Sequence, residues 1–492
     1  MSTLPPLPTI AGLSVLVAIS IALFSRYYAL RHIPGPRLAS LTDLWAAWRV
    51  FRGEYYMDVV AELHSRYGPV VRTGPNRVSF ASPDAIADIY GTSYVYPKAD
   101  SYSPMTVLAN GQELATLITT RDEKRVTGIK RHISAGFSAS TWLKQEDQID
   151  ETISILLEQL RLKLSSTISL NRWLSLWSFD TLTTLAFSET RGFLKAGTDL
   201  DNVFVSSQKR FAHWRHWALA PNLEALFYKN WLMQKFQKTS TTLAQMAITR
   251  IQQRKAADKN ATGRDLLGRY LAASQEAPDV IRPHDVVALT ISTIHAGSDT
   301  VALTTSLALS YALSNLPIFR KLEREILAAG LDPFVPVQFA DVEKLPYLDA
   351  LLRETLRFTV NPNINERTIT SSPLGGVTIC DTFIPAGTDV AVSDWDVTRS
   401  KAVFGADAET FRPERWLNID EQTRRDMDRA SMGFSWGRRM CIGQHLARIE
   451  MKKLVATLVR SFEMAPVQVG EAGWGGGFKA CNLDVKMSAR KD

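Results

Sequence analysis

Phe434-Ser435-Trp436-Gly437-Arg438-Arg439-Met440-Cys441-Ile442-Gly443 is the stretch on which the reading of this chain turns. It opens as a glycine-punctuated loop and runs into a segment with helical apolar spacing, 444–459. A cysteine just ahead of a helix N-terminus sits where backbone N–H groups and the helix dipole favour a thiolate. Gly437 and Gly443 lack a Cβ, so the backbone can approach a flat ligand closely. Arg439 offers a planar, forked cation to a carboxylate. Taken alone, the commoner fate of such a cysteine is burial as a structural thiol beside a turn.

Upstream, 283–315 reads as one unusually long apolar helix, stopped before Pro317. Its middle carries Ala296-Gly297-Ser298-Asp299-Thr300. A carboxylate and a hydroxyl there are costly unless solvated or paired. The small Ala-Gly pair would leave room for a diatomic ligand and a water; alternatively Ser298 or Asp299 caps a second helix beginning at Val301. Glu354-Thr355-Leu356-Arg357 places a carboxylate and a guanidinium on one helical face at i, i+3. By itself that is a weak surface pair. Phe411-Arg412-Pro413-Glu414-Arg415-Trp416 follows it.

Further helical spacing covers 84–90, 145–164, 173–187, 236–254 and 345–358, and short β-like pieces lie at 70–72, 77–80, 377–379 and 390–392. The fold class is therefore mainly α with small β-sheets. With 45% hydrophobic and 22% charged residues, the chain is neither disordered nor polytopic. No linker or repeat divides it, so 38–492 reads as a single domain. The net charge of +7 is dispersed, which argues against nucleic acid and for an acidic partner surface or anionic lipid. Three cysteines, an odd and sparse set with no paired spacing, argue against a disulfide framework or a zinc site and for a reducing compartment, where the sequon Asn260-Ala261-Thr262 goes unused.

At the N-terminus, 10–24 is nearly all apolar, and Arg26, Arg31 and His32 follow it. A helix of about 20 residues spans the roughly 30 Å of a bilayer core. Residues 1–30 thus read as a membrane anchor with its downstream side cytoplasmic, and 31–37, with Pro34-Gly35-Pro36, as a stiff hinge. The alternative, a cleaved signal peptide, lacks a basic n-region.

The 434–443 stretch fills every fixed position of the cysteine-ligand signature F-x-x-G-x-R-x-C-x-G. With the other motifs in matching order, the chain resembles the cytochrome P-450 family, its microsomal branch, over nearly its whole length. Arg121-Asp122-Glu123-Lys124 is similar to fungal members.

The resemblance implies the P-450 fold, with haem b between the long central helix and the cysteine loop. Cys441 would ligate the iron as thiolate, with Phe434, Arg439 and Gly443 around the cofactor. Arg367, in Asn365-Glu366-Arg367, and Lys130, counted back from Gly136-Phe137-Ser138, would meet the haem propionates. The Trp or His usual four residues before that cation is Val126 here, leaving one propionate bond to Arg125 or another neighbour. Glu354, Arg357 and Arg415 would form a buried ion network, and Asp299 and Thr300 a proton relay.

Candidate pocket residues are Ile291, Ile294, His295, Val360, Asn361 and Ile364, with His295 either holding a polar substrate group or simply packing. The aromatic stretch 204–236 is either core or a lid that dips into the membrane, and Gly475-Gly476-Gly477 would lie near a hairpin turn.

The implied activity is insertion of one atom of O2 into a small, mostly apolar organic molecule of secondary metabolism. Electrons would come from NADPH through NADPH-cytochrome P-450 reductase, with cytochrome b5 as a second donor, at the endoplasmic reticulum membrane. The alternatives are a haem-thiolate isomerase, dehydratase or desaturase, and a non-catalytic membrane haem-binding sensor.

Overall fold

The apolar spacing of 283–315 becomes one helix, Asp285–Ser314, in the computed structural model. The structure describes the chain apart from residues 1–23, 107, 110–111, 237–241, 258–264, 360–364, 371–373, 476–477 and 491–492. The anchor reading therefore lies outside the described residues, except that 24–29 are helical. Six helices matter to the site and are labelled in chain order: α1 Glu123–Ile133, α2 Leu170–Phe187, α3 Val203–Trp217, α4 Asp285–Ser314, α5 Pro346–Phe358 and α6 Gln444–Ser461.

The chain divides into two compact units. The larger comprises Met105–Trp214, Leu226–Pro362 and Thr398–Asp492; the smaller comprises Met1–Pro104, Arg215–Ala225 and Asn363–Val397.

In the larger unit α4 packs against α2, α5 and α6. Its length and hydropathy would suit a membrane span, but these neighbours make it the core helix of the unit. Asp285, fully buried in its first turn, accepts from Arg125 Nη2 at 2.6 Å, Arg282 Nε at 3.0 Å and the Ala115 N–H at 3.0 Å. Burial alone would raise this carboxyl's pKa, but the Arg282 and Ala115 hydrogen bonds and the Arg125 charge outweigh it and hold it low. α1 starts where the Asp122 side chain accepts from the N–H groups of Lys124 and Arg125. α5 starts with Pro346 in its first turn, where a missing N–H costs nothing.

α6 runs straight into an antiparallel pair, Phe462–Gly475 with Phe478–Ala489, and Thr167–Ser169 adds a third strand. Register shifts at Pro466/Gln468 and Glu471/Trp474 interrupt the first strand. Only the hairpin turn was expected there, not strands of this length.

In the smaller unit Val70–Gly74, Arg77–Phe80, Asp389–Val392 and Arg367–Thr368 form a four-stranded sheet in that order. Arg77 pairs in parallel with Asp389, and Arg367 antiparallel with Val390. The Pro34-Gly35-Pro36 segment lies on this sheet: Arg72 N–H donates to the Pro34 carbonyl at 2.7 Å. A Cβ on Gly35 would fall 2.3 Å from the Arg72 carbonyl oxygen, so that close approach requires glycine.

Candidate active site around Cys441

The cysteine loop is shaped by its own backbone and by α1. Gly437 adopts φ +64° and Ser435 φ +59°, and the Cys441 N–H turns back to the Phe434 carbonyl at 2.9 Å. Lys130, in the last turn of α1, donates from Nζ to the carbonyls of Arg438 at 2.7 Å and Met440 at 3.1 Å. Phe434 packs against the core, with the Arg448 guanidinium 5.0 Å from its ring centre.

Cys441 is surface-accessible, yet protein atoms crowd its thiol, and this burial pushes the pKa up. The Gly443 N–H and the Lys130 charge oppose that shift without overcoming it. The backbone N–H of Gly443 and the Lys130 charge thus favour the thiolate against burial, and a cation bound to the sulfur would favour it further.

Arg439 does fork a carboxylate, and in this structure the carboxylate is Glu123 of α1. Its Nε lies 3.0 Å from both Glu123 oxygens and its Nη2 2.6 Å from Oε1. It also donates to the Leu117 carbonyl at 2.9 Å and the Thr120 carbonyl at 2.7 Å, which leaves one Nη1 hydrogen. Arg125, beside Val126, donates from Nη2 to Asp285 at 2.6 Å.

Across the unit, the middle of α4 presents Asp299 and Thr300. Thr300 is exposed and its hydroxyl donates to the Ala296 carbonyl at 2.7 Å, which leaves its lone pairs outward. Asp299 accepts a short hydrogen bond from the Ser207 hydroxyl of α3, and burial nevertheless raises its pKa to about 6. There is no second helix at Val301; α4 runs through. A Cβ on Gly297 would fall 2.9 Å from Leu182 Cδ1 of α2, so its smallness lets the two helices pack closely.

His295 sits partly buried beside Phe179, ring centres 6.4 Å apart. Ile291 is partly buried against the core, whereas Ile294 is 0% exposed within it and packs rather than lining a pocket. Val360, Asn361 and Ile364 lie outside the described residues. Of the aromatic stretch, Trp214 is core, while Phe227, Trp231 and Leu232 are exposed, Trp231 at 76%.

The ion network forms around Glu354, which is fully buried, as is Arg357. Arg357 grips it through Nη2 at 2.7 Å and Nε at 2.9 Å. Arg415 Nε at 3.2 Å, the Arg412 N–H at 2.9 Å and Trp416 Nε1 at 2.9 Å complete the shell. Arg357 also donates to the Thr398 and Ala408 carbonyls, both at 2.6 Å. Arg367 belongs to the smaller unit, buried under Tyr90 and donating to Asn365 Oδ1 at 3.1 Å. Ser207, Arg210 and Glu123 were not foreseen as site residues; each meets its partner more than 80 positions away in sequence, beyond any local pattern.

The donor set decides what Cys441 suits. Among the described residues no three His, Cys, Asp or Glu side chains gather as metal ligands, so this loop offers one sulfur alone. One sulfur suits an iron whose other ligands arrive with it, as haem's do. Lys130 and Arg439, each with an N–H left over, would be available to the carboxylates of such a group.

The sequence matches the family model for Cytochrome P-450 over residues 39–472. A cytochrome P-450 monooxygenase of Aspergillus terreus is 32% identical over 94% of this chain and 96% of its own length. The cytochrome P-450 monooxygenase pkfB of Emericella nidulans is 32% identical over 96% of this chain and 94% of its own. The monooxygenase mpaDE of Penicillium brevicompactum is 32% identical over 89% of this chain, which spans 52% of that longer protein. Family membership implies a haem-thiolate cofactor, O2 and a small-molecule substrate. With these matches over a mainly helical chain that carries small sheets and the cysteine loop, the protein belongs to the cytochrome P-450 family and is a monooxygenase.

Proposed function

We propose that this enzyme inserts one oxygen atom from O2 into a small, mostly apolar molecule of fungal secondary metabolism, with Cys441 as the proximal ligand of haem b. The observation that carries the reading is the lone sulfur of Cys441, on a surface-accessible loop fastened to α1 through Lys130 and Arg439. Two electrons come from NADPH through a reductase, with cytochrome b5 as a second donor. Residues 1–30 anchor the chain once in the endoplasmic reticulum membrane, and the haem-binding domain, 38–492, faces the cytoplasm. The exposed rings of Phe227 and Trp231 suit a lid that rests on the membrane surface.

A bound haem supplies reductive O2 activation, favoured by an electron-donating thiolate. The chain's own residues hold and pass the protons. Asp299, with a pKa near 6, holds a proton in part of its population near neutral pH and releases it readily. The Ser207 hydroxyl fixes the orientation of its carboxyl. Thr300, its hydrogen engaged by Ala296, offers lone pairs to a proton-bearing water. Glu354, Arg357 and Arg415 contribute architecture only.

The test is the absorption spectrum of the reduced, carbon monoxide-treated protein. Wild type should show the strongly red-shifted Soret band of thiolate ligation, and Cys441→Ala should lack it. A histidine-type spectrum in wild type, or a red-shifted band that survives in the variant, would overturn the assignment.

A further inference from the structure

Within the larger unit, α3 and α4 meet through polar side chains. Ser207 of α3 donates to Asp299 of α4. Arg210 follows Ser207 on the same face of α3 and His295 precedes Asp299 on the same face of α4, at spacings of three and four residues. Arg210 lies near enough to His295 for its charge to act on that ring.

The guanidinium of Arg210 is withdrawn from water, which lowers its pKa, although a guanidinium stays charged regardless. Among the described residues its one hydrogen-bond acceptor is the Met105 carbonyl, and no carboxylate pairs with it. Arg125, Arg357, Arg415 and Arg439 of the same unit each hold a carboxylate. A desolvated cation without a counter-charge is costly to keep. His295 has a second deficit: its buried Nδ1 finds no partner. Burial, and then the Arg210 charge, push its pKa down to about 4, so the ring is neutral at pH 7. Apolar surfaces adjoin the pair, with Phe179 edge-on to His295 and Phe204 4.5 Å from Phe179. In such surroundings a charge pair is only weakly screened.

We propose that Arg210, with His295 beside it, binds a carboxylate on the substrate, so that the enzyme acts on mostly apolar organic acids. This rests on the monooxygenase reading above and names its substrate class. One guanidinium supplies one positive charge in a planar fork, which matches a carboxylate monoanion. A phosphate dianion would leave surplus negative charge near Asp299, and a neutral ester leaves the guanidinium as unpaired as before.

The experiment is equilibrium dialysis of the full-length holo protein with matched probes: dodecanoic, hydrocinnamic and abietic acids, each beside its methyl ester. At least one acid should bind about tenfold or more tightly than its ester. Arg210→Gln should abolish that preference while ester binding persists. If Arg210→Gln loses ester binding as well, Arg210→Lys decides: a point cation cannot fork a carboxylate, so the preference must fall. Absence of any acid preference in wild type, or a preference undiminished in either variant, would overturn the proposal. Dialysis does not depend on haem chemistry, and the carbon monoxide spectrum is recorded on the same samples. An Arg210-dependent preference without thiolate ligation would sink the monooxygenase reading alone; thiolate ligation without the preference would sink only this one.

Discussion

The carboxylate of Glu354 and the guanidinium of Arg210 are both withdrawn from water in the larger unit, and the protein treats them differently. Glu354 receives Arg357, Arg415, the Arg412 N–H and the Trp416 indole, so every lone-pair direction has a donor. Among the described residues Arg210 meets one carbonyl and no carboxylate. A charge that is desolvated and fully paired is committed to holding elements together, here α5 and the 398–416 segment. A charge that is desolvated and left unpaired keeps its capacity for something that arrives later. Asp299 stands between the two, with one hydroxyl donor and a proton affinity raised by burial.

The most severe way to break this contrast is Glu354→Ala, which converts Arg357 and Arg415 to buried, unpaired cations. It should cost about 3–5 kcal/mol in urea unfolding of the holo protein, enough to deplete the folded fraction. A loss under about 1 kcal/mol would remove the architectural reading of the network.

Asp299→Asn should leave the fold intact and lower product formation on the order of 10²-fold, with an unchanged carbon monoxide spectrum. Its pH signature has a definite sign. Folding raises the Asp299 pKa from 3.8 to about 6, so its contribution to stability is fully present below 3.8 and is lost as pH rises through 6. Melting temperatures at about pH 4 and about pH 7 should therefore fall further for wild type than for Asp299→Asn over that interval. Parallel shifts in the two proteins would refute a raised Asp299 pKa.

The smallest effect tests packing between α2 and α4. Gly297→Ala should cost about 1 kcal/mol, because the new Cβ meets the movable end of Leu182. Combining it with Leu182→Ala should show a favourable coupling in the double-mutant cycle; strict additivity would mean that the two residues do not press on each other.

What the sequence disclosed and withheld follows from distance along the chain. The cysteine motif, the 30 residues of α4 and the strand Arg77–Phe80 are contiguous patterns, and each was legible within a residue or two. Glu354 and Arg357 share a turn, so their pairing was readable, while Arg415 was carried only by resemblance and the donors Arg412 N–H and Trp416 Nε1 were not foreseen. The long strands Phe462–Gly475 and Phe478–Ala489 were missed because Pro466, Gly470 and Gly473 interrupt the alternation that marks a strand. Arg439 was rightly read as a fork, but its Glu123 partner is 316 positions away. Ser207 and Arg210 sat in an aromatic stretch weighed only as lid or core, and no local pattern points from either to α4.

The Ser207–Asp299 hydrogen bond makes helix position and proton occupancy linked variables. The Ser207 hydroxyl is the one interaction that opposes burial at this carboxyl, because it favours the ionised form. Drawing α3 away from α4 by the length of that bond would remove the opposition and raise the affinity of Asp299 for its proton. Reciprocally, protonating Asp299 weakens the hold on α3. The opening of one helix and the loading of one acid are thus a single equilibrium seen from its two ends, and a titration of either reports on both.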